Sequence, residues 1–335
     1  MDSHPDEHPF SLCLTHDVDR VYQTFQGPYD AVRTRSVEPL RASIRELLRA
    51  VTVDQRHTSV ADPRRGSTDH RCPYWQFESV MALEAELGIR SSWYFLDEQR
   101  LLGDRPVRDW LDPRSWLLYT GRYDVRDPAI ADVITDLDRG GWEVGLHGSY
   151  ESGDDVDRLA YEVATLEGVL GSAIRGGRQH YLRATVPETW EHYREIGLRY
   201  DASLGSRTTY GFGGLYDVVR PFDDDFVVFP LTVMDTTLFG TTPSTEAAWR
   251  ECRRLLDQAR ANDAVMTVCW HQRHFNEERF PGVRAVYERL VREAQAMGAW
   301  VGPPGRWYDH VVGGAERGSA VTQRPLVSEE RWERE

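Results

Sequence analysis

Short apolar runs alternate with amphipathic stretches along most of the chain. Phe10 to Asp17 (FSLCLTHD) is compact, apolar and polar at its end, which predicts a buried strand. The pattern then breaks. From Val21 to Pro73 one segment, Val37 to Val51, keeps helical spacing through Leu40, Ile44, Leu47 and Leu48, and the remainder is charged. This stretch is expected to be an insertion over about 21–74, a solvated loop rather than a lid. Order returns with a helix over Phe77 to Leu87, stopped by Gly88, and a strand over Ile89 to Leu96. Further helices are expected from Asp127-Pro128 to Gly140-Gly141, from Asp155 to Leu170, from Pro187 to Gly197, from Ser244 to Ala261 and from Gly282 to Met297. Strands are expected at Trp142 to His147, Gly177 to Leu182, Leu198 to Ser203, Phe226 to Met234 and Ala264 to His271.

Continuous apolar strands separated by amphipathic helices imply a parallel sheet covered by helices. The choice lies between a (β/α) barrel and an open doubly wound sheet. Neither G-x-G-x-x-G nor G-x-x-x-x-G-K is present, so the usual phosphate-binding devices of open sheets are missing and the barrel is favoured. With 335 residues the chain accommodates one barrel of about 250 residues plus insertions. We therefore expect a single domain over 1–312 and a charged tail over 313–335.

Composition sharpens this picture in three places. The formal charge is −14, and every basic side chain other than histidine is arginine. Acid excess without lysine is the composition expected of a protein from a salt-rich cytoplasm, such as that of a halophilic archaeon, where salt screens the carboxylates. A GC-rich genome would explain the arginine but not the acid excess. No basic stripe is visible, which argues against a nucleic-acid partner. Cys13, Cys72, Cys252 and Cys269 form no C-x-x-C pair, so no structural zinc or redox motif is indicated. Met1 to Phe10 contains no apolar core of a signal peptide and no segment is long enough to span a membrane, so a soluble cytoplasmic protein is expected.

The polar residues collect where the strands end. Asp17 and Asp19 close the first, His147 the third, and Arg178, His180 and Arg183 surround the end of the fourth. Asp201 lies on the fifth, Asp235 follows the sixth and His271 ends the seventh. In a parallel barrel these ends converge on one face, where the site is built. Asp17 and Asp19 are two apart and point the same way, while His16 points to the other face. Two adjacent carboxylates repel unless a cation or proton relieves them, and one Asp with one or two His suits zinc or a similar divalent ion. His274 is expected to face solvent. Of the aromatics Trp93, Tyr94, Trp270 and Trp307, Trp270 is the one expected to stack on a sugar, and the others belong to the core.

Leu14-Thr15-His16-Asp17-Val18-Asp19 resembles the first motif of the NodB-type polysaccharide deacetylases (carbohydrate esterase family 4-like), in the variant that spaces its two Asp by one residue. Glu143 to Gly148 resembles the second motif, Tyr200 to Leu204 the segment after the fourth helix, and Trp270-His271 the final motif. The ordered set covers roughly residues 10–300. This resemblance implies a distorted (β/α) barrel of about seven parallel strands and a metal-dependent hydrolase that deacetylates an N-acetylated sugar or glycan precursor. Asp17 would be the general base, Asp19 and His147 metal ligands, His271 the general acid, and Arg178 would orient or neutralise the base. The family's second motif carries another His where this chain has Glu151. Three readings compete: Glu151 ligates as a carboxylate, His180 takes the vacant place, or the metal site is lost. The alternatives to deacetylation are hydrolysis of another non-peptide C–N amide bond and an inactive glycan-binding protein.

Overall fold

The computed structural model describes residues 4–21, 73–101, 104–119 and 121–315. The expected helix over 37–51, Cys72, nearly all of the expected insertion and the tail beyond 315 lie outside the described residues.

The strands are β1 (Ser11–Val18), β2 (Ser92–Leu96), β3 (Glu143–Gly148), β4 (Gly176–Gln179), β5 (Tyr200–Asp201), β6 (Val227–Val228), β7 (Leu231–Met234), β8 (Val265–Cys269) and β9 (Trp300–Gly302). The sheet runs β6-β5-β4-β3-β2-β1-β8-β7, and all these pairings are parallel. β8 takes one edge of β1 over Ser11 to Thr15, and β2 takes the other over Thr15 to Val18. The half-strand that β2 leaves open pairs with β9 over Ser11 to Cys13.

The two ends of this path, β6 and β7, are separated by only Phe229 and Pro230, so the edges of the sheet must meet. The seam is held by main-chain bonds from Phe229 N to Asp201 O (2.8 Å) and from Leu231 N to Leu204 O (2.7 Å). The result is a distorted (β/α) barrel. A single strand over Phe226 to Met234 was expected, and it is instead two strands on opposite edges. Pro230 between them has no N–H to offer a ladder.

The helices are α1 (Phe77–Glu86), α2 (Pro113–Tyr119), α3 (Pro128–Arg139), α4 (Val156–Leu170), α5 (Glu188–Glu195), α6 (Asp235–Thr241), α7 (Thr245–Ala261), α8 (Val283–Ala296) and α9 (Pro304–Ala315). Their starts follow local chemistry. The side chains of Asp127, Asp155 and Ser244 accept from Ala129 N, Arg158 N and Ala247 N and so cap α3, α4 and α7.

Alternation along β1 sorts its side chains between two cores. Leu12, Leu14 and Val18 join the layer between strands and helices. Cys13 faces the barrel interior with Tyr94, Tyr200, Val227, Phe229, Trp300 and Trp307. Interior rings this large need glycine opposite them. A Cβ on Gly176 would sit 2.5 Å from the Tyr200 carbonyl oxygen and 2.6 Å from its ring. α9 closes the N-terminal end, where Trp307 donates to Ser11 Oγ (3.2 Å) and Gly305 N to Glu143 Oε2 (3.0 Å). β9 and α9 were not expected. Trp93, Tyr94 and Trp307 are core residues as predicted. Trp270 is also core and does not face a ligand: it is fully buried between Phe239 and Tyr287.

Candidate active site at the carboxyl ends of the strands

Asp17 ends the inward column of β1. Its carboxylate receives Arg178 Nη1 at 2.7 Å. Arg178 is fully buried in β4, where it also donates to Thr15 Oγ1 (2.8 Å) and the Ala202 carbonyl (2.8 Å), and lies over the Tyr94 ring. Burial alone would raise the Asp17 pKa, but Arg178, with His147 and His271, outweighs it and the carboxyl is lowered. Asp17 is therefore an ionised acceptor at neutral pH.

Asp19, just past the end of β1, is where the other elements converge. His147 Nε2 lies 3.1 Å from Asp19 Oδ1, and its Nδ1 donates to the Arg178 carbonyl at 2.8 Å. His180 Nε2 is 3.7 Å from the same carboxylate oxygen. Arg273 donates to Asp19 Oδ2 at 2.6 Å, and His271 Nε2 is 3.4 Å from it. Burial opposes ionisation of Asp19, yet Arg273 and His271, with the His147 bond, hold it well below the usual carboxylate range.

His180 owes its position to the end of β4. That strand was expected to reach Leu182, but it stops at Gln179, because Tyr181 (φ 59°) and Leu182 (φ 53°) both turn left-handed. Two consecutive non-glycine residues in that region store strain, a feature typical of functional sites. Burial, with the Arg122 charge, pushes the His180 pKa well down, so its ring is neutral, the form that ligates metals.

His271 follows β8. Its backbone N–H and Nδ1 both reach Asp235, at 2.7 Å each. Burial would lower its pKa, but the carboxylates of Asp235 and Asp19 together outweigh burial and the shift is upward. The second Asp235 oxygen also bonds His274 Nδ1 at 2.7 Å. His274 was expected in solvent. It is buried against Asp235 and Phe280, and its pKa is lowered to about 4, burial being the main cause.

Three donor sets among the described residues could hold an ion. In Asp235–His271–His274 both Nδ1 atoms already bond the carboxylate. In Asp17–Cys269–His271 burial keeps the Cys269 thiol protonated by pushing its pKa well up. Asp19–His147–His180 fits best. Two ligands each about 2 Å from a zinc lie no more than about 4 Å apart, and both histidine nitrogens meet that limit from Asp19. His147 has its other nitrogen anchored on a carbonyl, as metal-bound imidazoles do. His180 Nδ1 is buried without a hydrogen-bond partner and faces Glu98 Oε2 at 3.9 Å.

Three expected residues are not brought in. Glu151 has a side chain 60% exposed and pairs with Arg105 at 3.1 Å, outside the donor set around Asp19, because its 3-10 turn leads away from the strand end. Arg183 reaches the Tyr150 carbonyl and Asp154. Asp201 is consumed by Trp190 Nε1 and by the N–H and hydroxyl of Ser203. Conversely, Arg20, Arg122, Arg207 and Arg273 line the cavity over the site and had no signal in the sequence pattern.

No protein-family model matches this sequence, and no curated protein does either. Solved structures do match. One is a Mycobacterium smegmatis protein assigned as a polysaccharide deacetylase, with TM-score 0.57 and 17% identity over 97% of this chain and 98% of that one. The chain has the fold of the NodB-like deacetylases. A probable polysaccharide deacetylase from Pseudomonas aeruginosa PAO1 matches with TM-score 0.55 and 13% identity, over 92% of this chain and 94% of that one. Puue allantoinase gives TM-score 0.55 and 13% identity over 92% and 93%. The matched fold is thus also that of an allantoinase. No helix among the described residues is long and apolar enough to cross a membrane.

Proposed function

We propose that the protein is a metal-dependent hydrolase that removes the acetyl group from an N-acetylated sugar or glycan precursor. The observation that carries this reading is the juxtaposition of one donor set, Asp19–His147–His180, with an ionised Asp17 and a histidine, His271, raised by its own aspartate. A divalent ion, with zinc the first choice for two imidazoles and a carboxylate, would polarise the amide carbonyl and ease deprotonation of water. Asp19, His147 and His180 are the residues that would hold it, with His180 filling the place left by Glu151. Asp17 accepts the proton of the attacking water while Arg178 fixes its orientation. His271, whose pKa Asp235 raises, delivers a proton to the departing amine.

The expected setting is a soluble protein of a salt-rich cytoplasm acting on a carbohydrate precursor, with one catalytic domain interrupted by the segment after β1. The test is acetate release from N-acetylated sugars and their nucleotide- and lipid-linked forms, in high salt with zinc. Asp17→Asn and His271→Ala are each expected to lower turnover by about 10²-fold or more with the metal retained. Full activity in both variants would overturn the assigned roles.

One feature favours a second reading. Arg273 already bonds the carboxylate of the ligand set at 2.6 Å, as expected of a site that balances Asp19 without a metal and binds a glycan rather than cleaving it. Elemental analysis after reconstitution separates the two: no bound metal favours the binding protein. If acetate is not released but another non-peptide amide is cleaved, the hydrolase reading stands with a different substrate.

A further inference from the structure

The cavity over the strand ends has a volume of about 320 Å³, at the small end of ligand pockets and suited to one sugar-sized group. Four guanidinium groups, from Arg20, Arg122, Arg207 and Arg273, line it against two carboxylates, Asp17 and Asp19. Both carboxylates have cationic partners, Asp17 in Arg178 beneath the wall and Asp19 in Arg273. Arg122 is buried, and its hydrogen bonds go to main-chain carbonyls: Nη1 to Asp19 O at 2.9 Å, Nε to Leu118 O at 2.8 Å, and Nη2 to Leu118 O. A guanidinium has five N–H donors, so Arg122 retains two for a ligand. Arg207 lies across the Tyr181 ring, 5.6 Å from its centroid. Among the described residues no carboxylate pairs with Arg122 or Arg207.

This positive wall sits in a chain of formal charge −14. Like charges around a partly dry cavity are costly unless an anion relieves them, and the same field draws anions in. We propose that the cavity recognises a substrate bearing an anionic group, a carboxylate or a phosphate, beside the amide to be cleaved, and that Arg122 and Arg207 hold it. The position of the anion relative to an amide rests on the deacetylase reading. Anion recognition itself rests on the cavity alone.

Acetate release from N-acetylglucosamine, its 6-phosphate and N-acetylmuramic acid tests the proposal and separates phosphate from carboxylate. The expected result is a kcat/KM at least about tenfold higher for one charged sugar than for the neutral one, the scale of a charge-assisted hydrogen bond. Arg207→Ala and Arg122→Gln should each lower that ratio by about tenfold. Arg207→Lys should keep most of it, and added salt should shrink it. Equal use of neutral and charged sugars, or a preference that survives both Arg207→Ala and Arg122→Gln, overturns the proposal. Arg207 is exposed, so its replacement tests the idea even if the Arg122 variant does not fold. If none of the three sugars releases acetate, calorimetry decides the anion site independently of the deacetylase reading. Inorganic phosphate or glucuronate should then bind the zinc-treated protein and weaken in the arginine variants. Binding that is absent, or unchanged by the substitutions, refutes it.

Discussion

Replacing Glu84 by alanine is expected to cost about 4 kcal/mol or more of folding stability. Glu84, in α1, is fully buried and accepts four hydrogen bonds. His16 Nε2 (2.8 Å) and Tyr287 Oη (2.5 Å) donate to Oε1, and Ser91 Oγ (2.8 Å) and Trp142 Nε1 (2.6 Å) donate to Oε2. Burial opposes its charge, but the His16 contact and the Tyr287 and Trp142 bonds together outweigh burial, and the pKa is lowered. The carboxylate thus ties α1, β1, the starts of β2 and β3, and α8 at one point. Alanine strands four buried donors, each costing about 1–3 kcal/mol, so about 4 is the lower bound before any cavity forms. Glutamine keeps one accepting oxygen and turns an amide toward the other two donors, which predicts roughly half the loss. Set against a typical total of about 5–15 kcal/mol, both effects are readable by urea unfolding in chelator. The reasoning fails if Glu84→Ala loses less than about 1 kcal/mol, or if alanine and glutamine are indistinguishable.

Other consequences concern the site and the barrel. Asp19→Ala, His147→Ala and His180→Ala should each abolish stoichiometric zinc in elemental analysis, whereas Glu151→Ala should retain it; loss of zinc in the Glu151 variant would contradict the ligand set. Burial alone would lower the His271 pKa and Asp235 raises it, so Asp235→Asn should move the basic limb of the pH–rate profile to lower pH. Because the folded pKa of His271 is raised, its stabilising contribution is complete below about pH 6.5 and fades as pH rises through the folded value, a trend Asp235→Asn should flatten in unfolding experiments. Gly176→Ala would place a Cβ 2.5 Å from the Tyr200 carbonyl oxygen. It should cost about 1–3 kcal/mol or more, and an unchanged melting temperature would show that β4 yields more easily than its packing implies.

What could be read from the chain follows from burial. β1, β3 and β8 are covered on both sides, so they appear as continuous apolar runs, and Asp17, His147 and His271 stand out at their ends. Strand ends in a parallel barrel share a face, which is why Asp17, Asp19, Arg178, His180 and His271 could be grouped without coordinates. The failures have local causes. β9 is three residues long, too short for a periodicity to register. The left-handed turn at Tyr181 and Leu182 uses residues with no preference for that conformation, so β4 looked longer than it is. Trp270 and His274 lie close to His271 in the chain, but one faces the helical layer and the other folds back on Asp235, a choice of side-chain direction that no pattern encodes. Arg20, Arg122 and Arg207 of the cavity come from loops and Arg273 from a single 3-10 turn, where neither spacing nor apolar rhythm marks a position.

The place of β1 in the sheet bears on how the molecule is made. The strand that carries Asp17 lies near the start of the chain, yet its partners on one edge, β8 and the chain just after it, lie far downstream: the His16–Trp270 bond spans 254 residues. A ribosome therefore releases the aspartate-bearing strand long before β8 exists, and the apolar edge that β8 covers must wait unpaired until then. Contacts this distant in sequence are slow to close, since the loop entropy is spent before any pairing returns it. Chains cut short before Trp300 would leave Ser11 to Cys13 without their β9 partner and the barrel floor open. Such fragments should aggregate, not fold to partial activity, and the intact chain should lean on chaperones during its synthesis.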